Sequence, residues 1–306
     1  MRVIIAGMGV QGCKRKEICG PDFVAFVDPH VSGATYKNID DVPLDTYDAV
    51  LACIPNEPKV ALLEYALSHG KHVMVEKPLV ASAQDFLRLD ALAKKNNAVC
   101  YTAYNHRFEP HIARMATLIQ SGELGKIYSC RMFYGNGTAR LVRDSAWRDQ
   151  GAGVLPDLGS HLIDTCRFWF EDVVHNGTWD VVSANCFENR SPDHVVVQMR
   201  DTNFRIELEM TLLMWRNHFT CDILAEKGSV HIESLCKWGP STFTHRKRIM
   251  PSGRPAETQH TLVQPDPTWA LEYDHFKQLI VNKHHTDLTW DAKLMGILAT
   301  LAEKTI

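Results

Sequence analysis

A short apolar run, Val3-Ile4-Ile5-Ala6, leads straight into Gly7-Met8-Gly9-Val10-Gln11-Gly12. A run that short, ended by glycines, predicts a parallel strand covered on both faces. The glycine spacing then restricts the turn and the helix after it. Gly7 admits a tight turn, Gly9 leaves the backbone bare for a pyrophosphate, and Gly12 lets the next helix close onto the strand. Val10 and Gln11 open that helix, whose free N–H groups and positive dipole end suit phosphate. Asp28 ends the next apolar run, Phe23 to Val27, at the roughly 20-residue distance the fingerprint requires. Its carboxylate accepts from ribose hydroxyls and repels a 2′-phosphate. The expectation is a dinucleotide site that favours NAD. NADP stays open if Lys14 or Arg15 reaches a 2′-phosphate; otherwise these two belong to a solvated first helical turn.

The rest of the N-terminal half repeats strand and helix. Ala49 to Ile54, His72 to Val75 and Ala98 to Tyr101 read as strands. Lys59 to Ser68 has helical periodicity and stops before Gly70, and Ser82 caps a helix running to Lys95. Alternation of this kind predicts a doubly wound parallel sheet, a Rossmann α/β domain. Asp28 to Asp48 holds Pro29, Gly33 and Pro43 and little periodicity, so that crossover is expected to be a loop. After Tyr104 the pattern changes. Helices are expected over His111–Gln120, Leu158–Phe170, Thr268–Val281 and Asp287–Lys304, and an irregular segment over Gly135–Gly153. Strands are expected over Lys126–Tyr134, Val181–Phe187, His194–Met199, Phe204–Leu213, His218–Ala225 and Ser229–Ile232. This is an α+β domain with an open, mostly antiparallel sheet. The division is placed at 1–108 and 109–306.

Two further groups carry chemistry. Glu76-Lys77-Pro78 ends the fourth strand, the edge that faces the ligand crevice in an open α/β sheet. A lysine there presents its ammonium to a substrate hydroxyl. Asp157 and His161 stand four apart at the start of the predicted helix after Gly151-Ala152-Gly153, so they share a helical face. An imidazole, ordinarily titrating near 6.5, suits proton transfer from an alcohol. Taken singly, each has an ordinary structural role: a surface lysine, a helix cap, a core histidine.

Together these motifs resemble the glucose–fructose oxidoreductase / inositol dehydrogenase (Gfo/Idh/MocA) family over nearly the whole chain. The resemblance rests on the glycine loop, Ile54-Pro55-Asn56, Glu76-Lys77-Pro78, Asn105-His106-Arg107-Phe108, Trp147-Arg148 and Asp157-x-x-x-His161-x-x-Asp164. It implies a sugar or polyol dehydrogenase with Lys77, Asp157 and His161 as the catalytic set. Gly7, Gly9, Val10, Gln11, Gly12, Asp28, Pro55, Asn56, Glu76, Lys77 and Asn105 would hold the cofactor. Arg107, Trp147 and Arg148 would meet the substrate. It also implies oligomer contacts through the C-terminal sheet. Departures are few: Ala152 replaces a glycine, Lys59 stands where many relatives have histidine, and the expected loop in place of a crossover helix makes the chain short for the family. Arg140, Arg143, Arg148 and the run His245-Arg246-Lys247-Arg248 offer cations for a nucleotide-sugar phosphate, although the last run reads better as a solvated loop. Two other classes share the fold: a non-catalytic NAD- or sugar-binding regulator, and an NAD-dependent glycosidase.

Composition narrows the partners. The chain has 306 residues, enough for two cores, and a formal net charge of −3. That balance predicts neither nucleic acid nor an anionic membrane. No apolar run nears the ~20 residues of a membrane span. Nine cysteines without a C-x-x-C pair fit a reducing compartment and no metal site. Arg2 to Cys13 resembles a lipoprotein leader, but its apolar run is short and broken by Gly7 and Gly9, with Lys14-Arg15-Lys16 following. A cytoplasmic protein is expected.

Overall fold

The structure, a computed structural model, describes residues 1–145 and 148–305. The chain forms two compact units. Met1–Asn105 with Thr268–Met295 make the first, and His106–Pro267 with Gly296–Ile306 the second. The division is therefore not a single cut near residue 108, because a late segment returns to the first unit.

The first unit runs β1 (Val3–Ala6), α1 (Val10–Cys19), β2 (Phe23–Val27), β3 (Ala49–Ala52), α2 (Asn56–Ser68), β4 (His72–Glu76), α3 (Ala83–Lys95) and β5 (Cys100–Ala103). The sheet order is β2-β1-β3-β4-β5 and every pair is parallel. Direction of winding reverses between β1 and β3, so the crevice of this Rossmann sheet opens beyond Ala6 and Ala52. β1, β3 and β5 are buried along their whole length, which explains the unbroken apolar sequences of β1 and β3. Ser82 accepts from the Asp85 amide at 3.1 Å and closes a capping box at the start of α3. The crossover from β2 to β3 has no α-helix; it contains two single 3₁₀ turns, Ile39–Asp41 and Leu44–Thr46.

The second unit contains α4 (Pro110–Gln120), β6 (Ile127–Gly135), α5 (Ala139–Arg143), a π-helical turn (Leu155–Gly159) leading into α6 (Ser160–Phe170), and α7 (Asp172–Asn176). The strands β7 (Thr178–Asn185), β8 (His194–Arg200), β9 (Arg205–Thr211), β10 (His218–Ala225), β11 (Gly228–Glu233), β12 (Ser241–Lys247) and β13 (Ala256–Leu262) come after it. They join β6 in an eight-stranded sheet, β13-β12-β11-β10-β6-β9-β8-β7, antiparallel except between β6 and β9. One face is apolar and buried, with Cys130, Met132, Tyr134, Leu208, Met210, Phe219 and Cys221 in alternate positions. The opposite face is mostly polar, with Phe133 and Leu224 among its apolar residues. Glu207, Arg131, Asp222, His231 and Thr244 stand in direct register across β9, β6, β10, β11 and β12. Arg131 pairs with Glu207 at 3.1 Å and His231 with Asp222 at 2.5 Å.

His245 to Lys247, expected in a loop, instead completes β12, with Arg246 ion-paired to Glu257 and Lys247 to Glu123. β13 escaped the sequence reading because nearly all its residues are exposed, leaving no apolar alternation to detect. Finally, α8 (Thr268–Val281) and the first turns of α9 (Thr289–Ala302) belong to the first unit. Tyr273 and Phe276 of α8 pack in one core with Val3, Ile5, Leu51 and Met74.

Candidate active site

Gly7 has φ +87°, and its N–H donates to the Val27 carbonyl at 2.9 Å. A Cβ on Gly12 would lie 2.0 Å from the Gly7 carbonyl oxygen, so only glycine lets α1 seat this close to β1. A Cβ on Gly9 would meet nothing within 4 Å, so the loop is open on the side a ligand would use. α1 begins without a side-chain cap and without an acidic residue in its first turn. Uncommitted amides and an open glycine crest fit a diphosphate. Asp28 lies beside the loop. One carboxylate oxygen accepts from the Met8 amide at 2.9 Å, and the other from His30 at 2.9 Å and Val31 at 3.1 Å. Burial alone would raise this carboxyl, but the three amides outweigh it and hold it below the ordinary carboxylate range. The anion is thus fixed at the end of β2, with acceptor capacity left for a ribose hydroxyl. Pro55 and Asn56, both exposed, begin α2 just beyond β3.

Arg15 departs from expectation. It is 1% exposed rather than solvated, and its guanidinium bridges Glu76 at 2.7 Å and Glu272 at 2.8 Å. The Trp269 ring lies 4.4 Å from it and 4.6 Å from the Lys14 ammonium. Burial opposes its charge, but the two carboxylates raise its pKa further above an already high value. Both cations are engaged inside the first unit, which weakens the case for either as a 2′-phosphate ligand. Glu76 is also held through its backbone: Lys59 donates to the Glu76 carbonyl at 2.8 Å and to the Pro78 carbonyl at 3.0 Å. Lys77 therefore sits in a turn gripped on both sides. Asn105 closes the first unit, donating from Nδ2 to the Thr268 hydroxyl at 2.8 Å.

In the second unit the π turn carries Asp157 and α6 carries His161. Arg148 approaches Asp157 at 3.7 Å. His161 is 8% exposed, and its ring stacks on His106 with centroids 4.0 Å apart and planes 18° apart. The Lys237 ammonium lies 3.3 Å from His106 Nε2. An ammonium can only donate, so Nε2 is the acceptor and the His106 proton sits on Nδ1. Tyr134 meets both imidazoles, and its own ring lies 5.6 Å from Trp238. Burial, with the charges of Asp157 and Asp266, pushes its hydroxyl up, so it remains a neutral phenol. Arg107 forms a two-pronged ion pair with Asp164, through Nε at 2.7 Å and through Nη2. Trp147 lies outside the described residues.

The sequence reading chose His161 but passed over its neighbours. His106 was visible inside the Asn105–Phe108 motif, and Tyr134 ends a predicted strand. Lys237 had no signal, because it reaches His106 from 131 residues away. Among the described residues no group of three His, Cys, Asp or Glu side chains is arranged to hold a metal ion, and no helix is long and apolar enough to cross a membrane.

A crevice at the switch point of a parallel sheet, glycines packed against β1 and an anchored acid after β2 define a dinucleotide-binding oxidoreductase scaffold. The family comparison agrees. Residues 21–104 match a family model described as "Oxidoreductase family, NAD-binding Rossmann fold", and residues 112–231 match the GFO/IDH/MocA C-terminal domain. The chain belongs to the Gfo/Idh/MocA oxidoreductase family, and its first unit is an NAD-binding Rossmann domain. Glucose-6-phosphate 3-dehydrogenase of Bacillus subtilis is 28% identical over 144 residues, 45% of this chain and 41% of that protein. Inositol 2-dehydrogenase of Rhodococcus jostii is 25% identical over 264 residues, 76% of this chain and 68% of its own. The chain thus matches less than half the length of the first curated relative. A structure of levoglucosan dehydrogenase with NADH superposes with a TM-score of 0.80 at 18% identity, over 100% of this chain and 96% of that one, a likeness of fold.

Proposed function

We propose that the chain transfers a hydride between NAD and a secondary alcohol or ketone of a sugar, sugar derivative or cyclic polyol. The observation that carries this reading is the cradle: Gly12 packed on Gly7, an uncapped α1 and an Asp28 carboxylate fixed by three amides. NAD, when bound, supplies the hydride acceptor. In the oxidative direction His161 takes the hydroxyl proton as the C–H hydride leaves the same carbon. Lys77 donates to the hydroxyl oxygen and stabilises its developing negative charge. Asp157 orients the substrate, with Arg148 at its side. Arg107 and Trp147 are assigned to the substrate end. Pro55, Asn56, Glu76 and Asn105 complete the cofactor side. Asp28 makes NAD the preferred dinucleotide over NADP.

A panel of sugars, sugar phosphates, nucleotide-sugars and cyclic polyols, monitored by NADH absorbance with NAD and NADP in parallel, tests this. Reduction of NAD by at least one member is expected. Tight NADH binding with no reduction anywhere would favour a regulatory protein, and cleavage of an aryl glycoside without net cofactor change would favour a glycosidase. Near-normal turnover in folded Lys77→Ala or His161→Ala would remove that residue from the mechanism. We place the protein in the cytoplasm, on the strength of its free thiols, six of them buried. We assign the polar face of the eight-stranded sheet to contacts with a second copy.

A further inference from the structure

Lys59 is 3% exposed, a rare condition for a lysine. It stands in the first turns of α2, a helix whose Leu63, Ala66 and Leu67 are locked into the core. Its ammonium spends two of its three donors on the carbonyls of Glu76 and Pro78, at 2.8 and 3.0 Å. The residue between those carbonyls is Lys77. Pro78 brings no N–H, so the turn has one fewer donor of its own. Two partly buried carbonyls left unmatched would be costly, and Lys59 supplies both bonds from a rigid helix. The Glu76 side chain is held independently by Arg15.

We propose that Lys59 is a positioning residue for Lys77: it pins the backbone on both sides of Lys77 and so fixes where that ammonium can reach. The idea rests on Lys77 acting on substrate, as proposed above. Lys59 spans from α2 to the turn after β4, two elements that carry no common hydrogen-bonded ladder, and its stem length sets their separation. Misplacing a reacting group by about 1 Å can cost ~100-fold in rate, while a binding site made of other residues is little disturbed. The signature of positioning is therefore a loss in kcat with KM and cofactor affinity nearly unchanged.

The test uses the full-length protein with Lys59→Met, Lys59→Gln and Lys59→Arg. Thermal unfolding establishes that each is folded, and NADH fluorescence gives cofactor affinity. Kinetics are read on whichever substrate the panel yields. Separately, lysines are reductively ¹³C-methylated and the Lys77 resonance is assigned by its loss in Lys77→Arg. Lys59→Met is expected to lower kcat roughly 10- to 100-fold, with KM and NADH affinity within about threefold, and to move or broaden the Lys77 resonance. Lys59→Arg, which keeps donors, should recover part of kcat. If Lys59→Met does not fold, Lys59→Gln reads the same quantities. Wild-type kcat in folded Lys59→Met or Lys59→Gln, or a Lys77 resonance identical to wild type in both, would overturn the proposal. If no substrate is found, the dehydrogenase reading fails at the panel, while the Lys77 resonance still decides whether Lys59 holds the turn.

Discussion

Arg15 keeps a full charge with almost no solvent contact because two carboxylates meet it. Such an arrangement is strongly asymmetric to mutation. Arg15→Met would remove the cation that Glu76 and the fully buried Glu272 share, at a cost of about 3–5 kcal/mol. Glu272→Gln keeps the Arg15–Glu76 pair and should cost clearly less. Urea unfolding of the two variants checks the order; equal losses would mean the pair with Glu272 dominates. Lys59 offers a test with pH. Burial pulls its ammonium down to about 8 from the ordinary 10.5. Between those values the unfolded chain holds a proton that the folded chain has released, so stability from this group rises with pH across that window. Below about pH 8 the folded state carries the whole cost of the buried charge. The stability of the wild type relative to Lys59→Met should therefore improve by about 3 kcal/mol from pH 7 to 10.5, measured by urea unfolding at each pH. The sequence singled out both residues, Arg15 as a candidate phosphate ligand and Lys59 as a departure from the family pattern, but not their burial. A basic residue early in a helix reads as solvated, and Arg15 finds its partners 61 and 257 positions away.

At the scale of elements, the segment entering α6 depends on one glycine. Gly151 and Gly153 both have positive φ, +59° and +52°. A Cβ on Gly151 would meet nothing within 4 Å, whereas on Gly153 it would lie 2.0 Å from the Pro192 carbonyl oxygen. Gly151→Ala is expected to cost about 1 kcal/mol through backbone strain alone. Gly153→Ala adds a backbone clash, should cost distinctly more, and should disturb the π turn that holds Asp157. Thermal unfolding ranks the two, and equal costs would show that the Pro192 segment yields freely. The sequence disclosed the strands and helices whose burial is one-sided or complete, because these leave a period or an unbroken apolar run. β1, β3, α3 and α6 belong to that group. It disclosed the glycine loop because the glycine spacing alone sets that turn. It hid β12 and β13, whose polar residues obey no burial period, and the His106–His161 stack, whose partners are brought together only by the packing of separate elements.

At the scale of the molecule, the polar face of the eight-stranded sheet carries acidic and basic residues alternately in a straight row, Glu207, Arg131, Asp222 and His231. A second copy set against such a face meets complementary charges and hydrogen bonds rather than bare apolar surface. Arg131→Glu places three acids in succession along the row. On the proposed pairing through this face, light scattering should then report a lower mass than wild type; an unchanged mass would overturn that assignment. The late return of α8 to the first unit has a different consequence. Glu272 lies 257 residues beyond Arg15, and Tyr273 and Phe276 cover the core that Val3, Ile5 and Met74 begin. At translation rates of about 5–20 residues per second, the ribosome needs on the order of ten seconds to a minute to deliver them. During that interval the nascent cofactor domain has an uncovered apolar face and an arginine still short of its second carboxylate. A message cut short before α8 would yield a chain with its glycine loop intact and no means of completing the domain around it.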